Sequence, residues 1–595
     1  MCGIFCFIYQ PTDDDSECFK QWSICKDLIA TRGPDHLADT HITLSHEWQG
    51  YFAGAVLWMQ GSNITIQPSL DNNGNMLLWN GDLFSGSLAN DDVCDTNTIL
   101  VEFESTTDII SVLRKIEGPY SLIYYQKSSN ILYFGRDIIG RHSLLLRIDN
   151  EANSLTLTSV ASKKMKGIVE VPAIGIFAMN LNNSRINLTC YPWKEPDLRF
   201  TDVIEILETN LNVDINIRET ILDTHSLDYS LLTNLHLHPD PKDLEYLENI
   251  SYTNDFNKTL LCLLENQEVS ERVKRLTELL HQSVKVRIKK KPNYCKNCIK
   301  VVLNGGNITC THSKIGILFS GGLDSAILTA IADKHIPEDE SIDLINVAFE
   351  KSVSNQNINH MNGDKENVMQ KYDVPDRKTG RQTYNELLRI CPNRKWNFIQ
   401  CNITQVELQS YRTSRICDLL YPLCTILDES LGCAMWFASR AKGLLYPVNE
   451  MYESPCRILL LGIGADELFG GYIRHRTILR HKGWDALVQE LNIELARISE
   501  RNLGRDNRIV SDHGKQSRLP YLDENLVRYV QHLKPWERCY PTEKMPTGLG
   551  DKLLLRLLAY NIGFQSTANF PKRAFQFGSR IANSKENAND ISNRL

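Results

Sequence analysis

The chain has 595 residues, of which 42% are hydrophobic and 23% are charged, so it is long enough for at least two domains with their own cores. Its 65 basic and 72 acidic residues give a net charge of −7, which gives no reason to expect a nucleic-acid partner or an acidic membrane surface. The main basic cluster, RIKKKP at residues 287–292, is interpreted as a solvated surface loop.

The cysteines and the apolar runs of the sequence indicate where in the cell the protein is expected. The 17 cysteines are odd in number and spread over the whole chain, which favours reduced thiols and a cytoplasmic protein. The N-terminal stretch MCGIFCFIY has no basic residues before its apolar run, unlike a signal peptide. No uncharged apolar run reaches the roughly 18 residues that a membrane-spanning helix needs, so no membrane span is expected.

The first predicted domain covers residues 2–184 and is rich in strands. Short β-branched and aromatic runs such as SLIYYQ, ILYFGRD and GIFAMNL alternate there with turn residues. Residues 185–274 are polar and show no sustained period. We interpret them as a connector in which one or two helices could form.

Residues 275–585 alternate between apolar strand-like runs and helical stretches. A helix-like SERVKRLTELLHQSVKVRI leads into the strand-like runs KIGILFS, DLINVAF, WNFIQCNI and RILLLGIG. The helical stretches between them include DSAILTAIADKH, GRQTYNELLRIC and TILDESLGCAMWFASRAKG. This alternation predicts a doubly wound, mostly parallel α/β domain.

The first candidate catalytic residue is Cys2. If Met1 is removed, Cys2 carries both a thiol nucleophile and a free α-amino group, whose ordinary pKa of about 7.7 to 8.0 suits a base near neutral pH. An ordinary structural cysteine is the alternative. The motifs TRGPD, WNGDLF, CDTNTIL and GRDIIGRHSLL then follow in the order seen in class II glutamine amidotransferases. Residues 1 to about 180 therefore resemble the N-terminal-nucleophile glutaminase domain of that family.

This resemblance implies an αββα sandwich and a set of roles. Cys2 would be the nucleophile, and Asn80 with Gly81 would donate hydrogen bonds to the oxyanion of the tetrahedral intermediate. Asp95 would bind the α-amino group of glutamine. The family usually has an arginine that binds the glutamine α-carboxylate, whereas this chain has Val56 there, in FAGAVL. The bidentate contact of a guanidinium would be absent, which puts the affinity for glutamine in doubt.

The second candidate site is ILFSGGLDS at residues 317–325. Its glycines follow a predicted strand and precede a predicted helix, so backbone amides and the helix N-terminus can surround an anion such as pyrophosphate. Serine hydroxyls can donate to phosphate oxygens, and an aspartate can bind Mg²⁺. An ordinary SGG turn with an aspartate cap is the alternative. The predicted ATP contacts are Ser320, Gly321, Gly322, Asp324 and Ser325.

A third motif, LLLGIGADELFGGYIRHR at residues 459–476, places Asp466 and Glu467 directly after an apolar strand. A helix cap is the structural alternative. Together with SGGLDS, with QSRLPYLDENLVRYV and with DKLLLR, it resembles the glutamine-hydrolysing asparagine synthetase family, and a divergent branch of it. That resemblance implies that Asp466 shares Mg²⁺ with Asp324 and that Gly464 contacts ATP.

Two further positions bear on the ligase chemistry. Lys572, in FPKRAFQFGSR, matches a family lysine that neutralises charge as pyrophosphate forms, and a solvated lysine is the alternative. The family usually has a glutamate, assigned to help ammonia attack the activated aspartate, where this chain has Ile463. Amide formation is therefore expected to be impaired more than adenylation.

A cysteine- and histidine-containing insert lies before the ATP-binding strand. The residues of CKNC and CTH have the spacing C-x2-C, then C-x-H, which could form a tetrahedral zinc site from Cys295, Cys298, Cys310 and His312. A single C-x2-C is a modest signal. The sequence favours unligated thiols over zinc here.

The sequence therefore predicts a glutamine-dependent amide ligase that uses ATP and Mg²⁺, most simply to make asparagine from aspartate. The resemblance implies an acyl-adenylate intermediate and ammonia that travels inside the protein. Two alternatives stay open, which are a catalytically weakened scaffold or regulator and a ligase for another carboxylate. The oligomeric state stays open as well.

Overall fold

The computed structural model describes residues 2–11, 16–90, 92–218, 238–250, 255–350, 371–582 and 586–595. The protein is a mixed α/β molecule with three large sheets. The N-terminal part, residues 2–218, contains β1 Gly3–Tyr9, α1 Ser16–Arg32, β2 His36–Thr43, β3 Gln49–Val56, β4 Ser69–Leu70, β5 Met76–Gly81, α2 Asp95–Glu104, α3 Ile109–Arg114, β6 Tyr120–Gln126, β7 Ile131–Arg136, β8 Leu145–Asp149, β9 Ser154–Thr158, β10 Val169–Glu170, β11 Gly175–Asn180, β12 Leu188–Pro192, α4 Leu198–Leu211 and β13 Ile215–Ile217.

Two stacked sheets form the N-terminal part, with strand orders β10-β8-β9-β1-β3-β2 and β13-β12-β11-β7-β6-β5-β4. Alternate side chains of β1 point to opposite faces, as the period of a strand requires. Ile4 and Ile8 pack against Phe134 of the second sheet, whereas Phe5 packs against Trp22 of α1. The outer face of the second sheet is covered by α2 and α3. Helices therefore lie on the outer side of each sheet.

The structure differs from the predicted connector at its N-terminal end. Residues 188–217 add β12, α4 and β13 to the second sheet, with β12 antiparallel to β11 and parallel to β13. The apolar side chains of α4 that enter the core are Phe200, Ile204, Leu207 and Leu211. These apolar residues are interrupted by acidic and amide residues, so the polar composition concealed a one-sided helix.

The C-terminal part, described over residues 238–250, 255–350, 371–582 and 586–595, is built around the third sheet. Its helices are α5 Pro241–Glu248, α6 Phe256–Leu264, α7 Gln267–Lys289, α8 Cys298–Leu303, α9 Leu323–Asp333, α10 Pro375–Ile390, α11 Gln405–Tyr411, α12 Cys417–Leu420, α13 Ile426–Arg440, α14 Ala465–Phe469, α15 Ile473–Ile498, α16 Gly504–Ser511, α17 Glu524–His532, α18 Pro535–Arg538, α19 Leu553–Asn561 and α20 Phe575–Gly578. Its strands are β14 Ile315–Leu318, β15 Ile342–Phe349, β16 Trp396–Ile403, β17 Lys442–Tyr446, β18 Met451–Glu453, β19 Ile458–Leu460 and β20 Gln516–Arg518.

The third sheet has the order β18-β17-β16-β15-β14-β19-β20. Five adjacent strands of this sheet are parallel, in the order β16, β15, β14, β19 and β20. The other two strands, β17 and β18, extend the sheet at the β16 edge in antiparallel fashion. From β14 the chain first builds toward β16 and later returns to place β19 on the other side. The strand order reverses between β14 and β19, and such a reversal opens a crevice at the carboxyl ends of the strands. The loops after β14 and β19 both enter this crevice.

The N-terminal and C-terminal parts contact each other through buried polar groups. Arg141 donates to the Leu522 carbonyl at 2.9 Å and forms an ion pair with Glu524. Gln516 donates to Asp82 at 2.6 Å. All four of these side-chain-bonded residues are nearly excluded from water. The two parts are therefore joined by specific contacts, each of which leaves a buried polar group unpaired when it breaks.

Across the described ranges, no helix combines the length and the apolar character that crossing a membrane requires.

Candidate active sites

Cys2 lies at the start of β1, beside the end of β5. Its backbone nitrogen donates to Asn80 Oδ1 at 2.9 Å, and its carbonyl accepts from Arg32 Nε at 3.4 Å. Gln67 Nε2 is 3.8 Å from the Cys2 sulfur. Removal from water raises the pKa of the Cys2 thiol, so the thiol needs a nearby base to ionise at neutral pH. The predicted nucleophile and Asn80 are thus in direct contact.

Asn80 and Gly81 are held in place by their neighbours. His142 Nδ1 donates to the Asn80 carbonyl at 2.8 Å, and burial lowers the pKa of His142 to about 4, so its ring is neutral. A Cβ on Gly81 would lie 2.6 Å from the Cβ of Tyr120, closer than side-chain atoms approach. The chain therefore needs glycine at this point of β5. His142 lies in the motif GRDIIGRHSLL, from which no role for it was predicted.

Asp95 already has a cationic partner. Its carboxylate accepts from Leu83 N at 2.6 Å and from Gln60 Nε2 at 2.7 Å, and Lys290 Nζ lies 3.2 Å away. Lys290 also donates to the Leu83 carbonyl. Burial raises the pKa of Asp95 to about 6, although Lys290 opposes the shift. The carboxylate predicted to bind an amino group thus binds the ammonium of a residue from the C-terminal part.

The interpretation of RIKKKP as a solvated loop is wrong for two of its residues. Arg287 is 1% exposed and donates to Asp523 at 2.8 Å, and Lys290 is 8% exposed in its contact with Asp95. Arg287 lies on the buried face of α7 and Lys290 directly follows the helix, and both meet carboxylates that are distant in sequence. No feature of the sequence alone pairs them with those carboxylates.

Val56 lines the small cavity beside Cys2. It is 5% exposed at the end of β3, and Asp95 and Gln516 line the same cavity. The cavity volume is about 40 Å³, which is space for a water molecule rather than for a whole amino acid.

The loop after β14 has the shape of an anion-binding turn. Gly321 has φ +77°, and a Cβ there would lie 2.4 Å from the backbone of Gly380, so only glycine fits. Ser320 Oγ accepts from Gly322 N at 3.2 Å, and Ser325 Oγ donates to the Gly322 carbonyl at 3.1 Å. The loop ends at the N-terminus of α9, whose partial positive charge favours a phosphate group.

Asp324 and Asp466 are bridged by a lysine that the sequence analysis did not single out. Lys552 Nζ lies 2.8 and 2.7 Å from the two carboxylate oxygens of Asp324 and 2.6 Å from Asp466 Oδ1. Lys572 pairs with the other oxygen of Asp466. Although burial opposes ionisation, these two lysines hold the pKa of Asp466 well below its usual range. The motif DKLLLR, which contains Lys552, was the available signal.

The carboxylates of Asp324 and Asp466 are suitable ligands for a magnesium ion that also binds phosphate. Asp324 and Asp466 share one ammonium, so their nearest oxygens are within about 5.3 Å of each other. Mg²⁺ usually takes one or two carboxylates and fills its other positions with water and substrate phosphates. Asp324 and Asp466 are the residues that would hold it, and the ion would neutralise phosphate charge beside the glycine loop.

A cavity of about 440 Å³ lies at the carboxyl ends of β14, β15 and β19. This volume is typical of small-molecule sites. Gly464, with φ +97°, and Ile463 lie on the β19 side, and Glu467 accepts from Tyr472 Oη at 2.6 Å nearby. The polar residues that line the cavity include Ser320, Asp324, Ser325, Asp466, Arg501, Arg505, Lys572 and Arg573, and the apolar ones include Phe319, Ile345, Leu431 and Met435.

Asp376 is a further carboxyl group on the wall of this cavity. It is 7% exposed, at the start of α10, and a Cβ on Gly578 would lie 2.0 Å from its Oδ1. Burial raises the pKa of Asp376 to about 7, although Arg573 and Lys572 oppose the shift. Its charge therefore changes near neutral pH.

The structure also brings together Cys295, Cys298, Cys310 and His312, whose potential ligand atoms all lie within 4.8 Å of one another.

The family model for asparagine synthase matches residues 479–594. The mouse protein named asparagine synthetase domain-containing protein 1 is 38% identical over 642 residues, which cover 100% of this chain and 99% of that protein. An asparagine synthetase domain-containing protein of Drosophila melanogaster is also 38% identical, with 100% of both chains covered, and one of Saccharomyces cerevisiae is 25% identical over 97% of this chain and 92% of that protein. The chain therefore belongs to the family of asparagine synthetase domain-containing proteins, a divergent branch of the asparagine synthetase family.

Proposed function

We propose that the chain is a glutamine-dependent and ATP-dependent amide ligase that makes asparagine from aspartate. Residues 2–184 would form the glutaminase domain, with an N-terminal-nucleophile αββα sandwich that β12 to β13 extend, and residues 275–585 the ATP pyrophosphatase domain. The observation that carries the proposal is the cluster of Asp324, Asp466, Lys552 and Lys572 beside the glycine loop. Two acids and two lysines at the mouth of a ligand-sized cavity suit a magnesium-bound polyphosphate.

The geometry around Cys2 supports the glutaminase half-reaction. Once Met1 is removed, the Cys2 nitrogen becomes an α-amine that can accept the thiol proton, and Asn80 Oδ1 orients it from 2.9 Å. The thiolate would attack the side-chain amide of glutamine and release ammonia as a thioester forms. Rotation of the Asn80 amide, with the Gly81 backbone nitrogen, would supply donors to the oxyanion.

The ligase half-reaction would use the larger cavity. The amides of Gly321 and Gly322 with the N-terminus of α9 would surround the pyrophosphate, and Ser320, Ser325 and Gly464 would make further ATP contacts. Lys572 would stabilise the negative charge that grows as pyrophosphate leaves. Arg573 lies on the same wall and supplies a cation for a substrate carboxylate.

A hydrogen-bonded connection links the two sites between which ammonia would travel. Arg32 donates to the Cys2 carbonyl and, through Nη2, to Asn507 Oδ1 at 2.9 Å. Asp506 and Arg505, which precede Asn507 in α16, line the ligase cavity. One arginine thus connects the nucleophile to the helix that borders the ligase cavity, so an internal route for ammonia between the two sites would be short.

The test is pyrophosphate release from ATP by the purified full-length chain, measured with aspartate and either glutamine or ammonium. We expect release that depends on aspartate and asparagine that accumulates with either nitrogen source. A panel of other small carboxylates in the same assay tests whether another acid is the substrate. Absence of pyrophosphate release with every acid by the folded chain would contradict the proposal.

Two observations favour a second candidate, a weakened enzyme kept as a scaffold or regulator. Lys290 already pairs with Asp95, and Ile463 presents an aliphatic side chain to the ligase cavity. Both features would lower catalysis in a chain that still folds. The same assay separates the candidates, because a scaffold needs neither pyrophosphate release nor glutamine hydrolysis.

The free thiols of the described cysteines suit a reducing compartment, and we propose the cytoplasm.

A further inference from the structure

Three cysteines and one histidine meet around a common point on the insert between α7 and β14. His312 Nδ1 lies 3.7 Å from Cys295 Sγ, 3.5 Å from Cys298 Sγ and 3.9 Å from Cys310 Sγ. A tetrahedral zinc ion with its usual bond lengths to sulfur and nitrogen separates those ligand atoms by about 3.6 Å. The three separations in the protein therefore match the edges of one zinc tetrahedron.

Hydrogen bonding alone does not account for this arrangement. A neutral imidazole Nδ1 makes a single hydrogen bond, and a thiol is a weak donor and a weak acceptor. Three sulfur atoms at nearly equal distance from one ring nitrogen thus leave most of these contacts unsatisfied. A disulfide would join two of the cysteines but would give the third and His312 no reason to lie beside them.

The backbone around the cluster favours thiolates. Cys295 N donates to Cys310 Sγ at 3.3 Å, and Cys298 N donates to Cys295 Sγ at 3.5 Å. Backbone donors to sulfur stabilise its negative charge, as the outer contacts of a metal site do. Cys295 and Cys298 are buried, whereas His312 is exposed, so an ion can enter from the surface.

We propose that Cys295, Cys298, Cys310 and His312 bind a structural zinc ion. Three thiolates and an imidazole fill all four positions of a tetrahedral ion, so the site is closed and is separate from the ligase chemistry. Sulfur and nitrogen ligands in this geometry favour zinc over magnesium or calcium, which prefer oxygen.

The ion would fix the segment that connects the two active sites. The cluster follows Lys290, which contacts Asp95, and precedes β14, which leads into the glycine loop. Between them, Lys296 N donates to the Pro455 carbonyl at 2.9 Å and Lys296 Nζ to the His513 carbonyl at 3.2 Å. Zinc would close the loop from residue 295 to 312 and hold these contacts in register.

The test is the metal content of the full-length chain, purified without chelators and with any affinity tag removed. We expect about one zinc ion per chain by elemental analysis, and strong loss of zinc in Cys298→Ser and His312→Asn. Cys424→Ser, at an exposed cysteine outside the cluster, is the matched control and should keep its zinc. His312 is at the surface, so His312→Asn is expected to fold even if the buried variant does not.

A second measurement identifies the ligands. Cobalt exchanged into the wild-type chain should give the visible absorption of tetrahedral cobalt bound by thiolates, and His312→Asn should weaken or shift it. The proposal would be overturned if the folded wild-type chain, purified from zinc-supplemented cells, contains no zinc and gives no thiolate–cobalt absorption after cobalt is added. Full zinc retention by both His312→Asn and Cys298→Ser would place the ion elsewhere and would overturn it as well.

Discussion

Lys290 of the C-terminal part lies 3.2 Å from Asp95 of the N-terminal part, and both side chains are nearly excluded from water. Removing one partner of a buried ion pair typically costs about 3 to 5 kcal/mol, because the other charge stays buried. We expect Lys290→Ala to lower the free energy of unfolding by an amount of this order at pH 8. Lys289→Ala, at the exposed neighbouring position, is the control and should change it little.

The cost of Lys290→Ala should depend on pH. The pKa of Asp95 is raised to about 6, so the carboxyl becomes neutral below that value and loses its attraction for Lys290. The difference in the free energy of unfolding between wild type and Lys290→Ala, measured in urea, should therefore be smaller at pH 5 than at pH 8. A difference that is independent of pH would mean that Lys290 acts through the Leu83 carbonyl rather than through Asp95.

Cys2→Ala should abolish glutamine-dependent activity and leave ammonium-dependent activity, because the two half-reactions share only ammonia. Cys424→Ala, at an exposed cysteine, is the matched control. Glutamate production and asparagine production, measured in parallel, check the result. Glutamine hydrolysis at the wild-type rate by the Cys2→Ala chain would show that another group is the nucleophile.

Asp324→Ala should remove ATP-dependent pyrophosphate release while the protein stays folded. Its carboxylate borders the cavity and accepts hydrogen bonds from Lys552, so its loss should affect metal and phosphate binding before it affects the core. Asp339→Ala, at an exposed aspartate, is the control. Undiminished pyrophosphate release by the folded Asp324→Ala chain would contradict the phosphate-loop assignment.

Asp376→Asn should stabilise the protein above neutral pH. Burial raises the folded-state pKa of Asp376 from its usual acidic range to about 7, so the folded state binds this proton more tightly than the unfolded state does. Stability from this group is full below about pH 4 and falls as the pH rises to about 7. The asparagine side chain does not ionise, so the variant does not lose this stability. The free energies of unfolding of wild type and Asp376→Asn should therefore diverge between pH 5 and pH 8. Parallel stability profiles would show that Arg573 and Lys572 keep the carboxylate charged throughout.

Ile463→Glu should raise amide formation more than it raises ATP activation. A general base typically contributes about 10² to 10⁴-fold, and the wild-type side chain cannot accept a proton from ammonia. Acid-dependent exchange of pyrophosphate into ATP should therefore exceed asparagine formation in the wild type, and Ile463→Glu should narrow the gap. Ile463→Gln, which has the same size without the charge, is the control. Equal rates of exchange and asparagine formation in the wild type would show that another group already serves as the base.

Much of the C-terminal part follows from periodicity in the sequence. The helix-like SERVKRLTELLHQSVKVRI lies within α7, and KIGILFS, DLINVAF, WNFIQCNI and RILLLGIG overlap β14, β15, β16 and β19. These segments are buried and strongly periodic, so local composition and tertiary environment agree. Ser320, Asp324 and Ser325 of the predicted phosphate loop and Asp466 line one cavity, because β14 and β19 are adjacent parallel strands.

The contacts that the sequence could not reveal are those between residues far apart along the chain. Lys552 joins two carboxylates that precede it by 228 and 86 positions, and Lys290 contacts a carboxylate 195 positions away. Both lysines lie at helix ends, where nothing local indicates their partners, so only the folded chain identifies those partners. The same holds for the CKNC and CTH residues, whose spacing is weak evidence until His312 is found between three sulfur atoms.

The buried polar boundary between the two parts affects how the chain can evolve. Removing residues 2–218 would leave Glu524 without Arg141 and Gln516 without Asp82, so the C-terminal part would carry unpaired polar groups on a newly exposed face. Removal of the N-terminal part is therefore expected to lower the solubility and the stability of the remaining chain, whether or not Cys2 reacts. A descendant that lost glutamine hydrolysis would keep the complete domain, and retention of the domain alone would not be a record of retained catalysis.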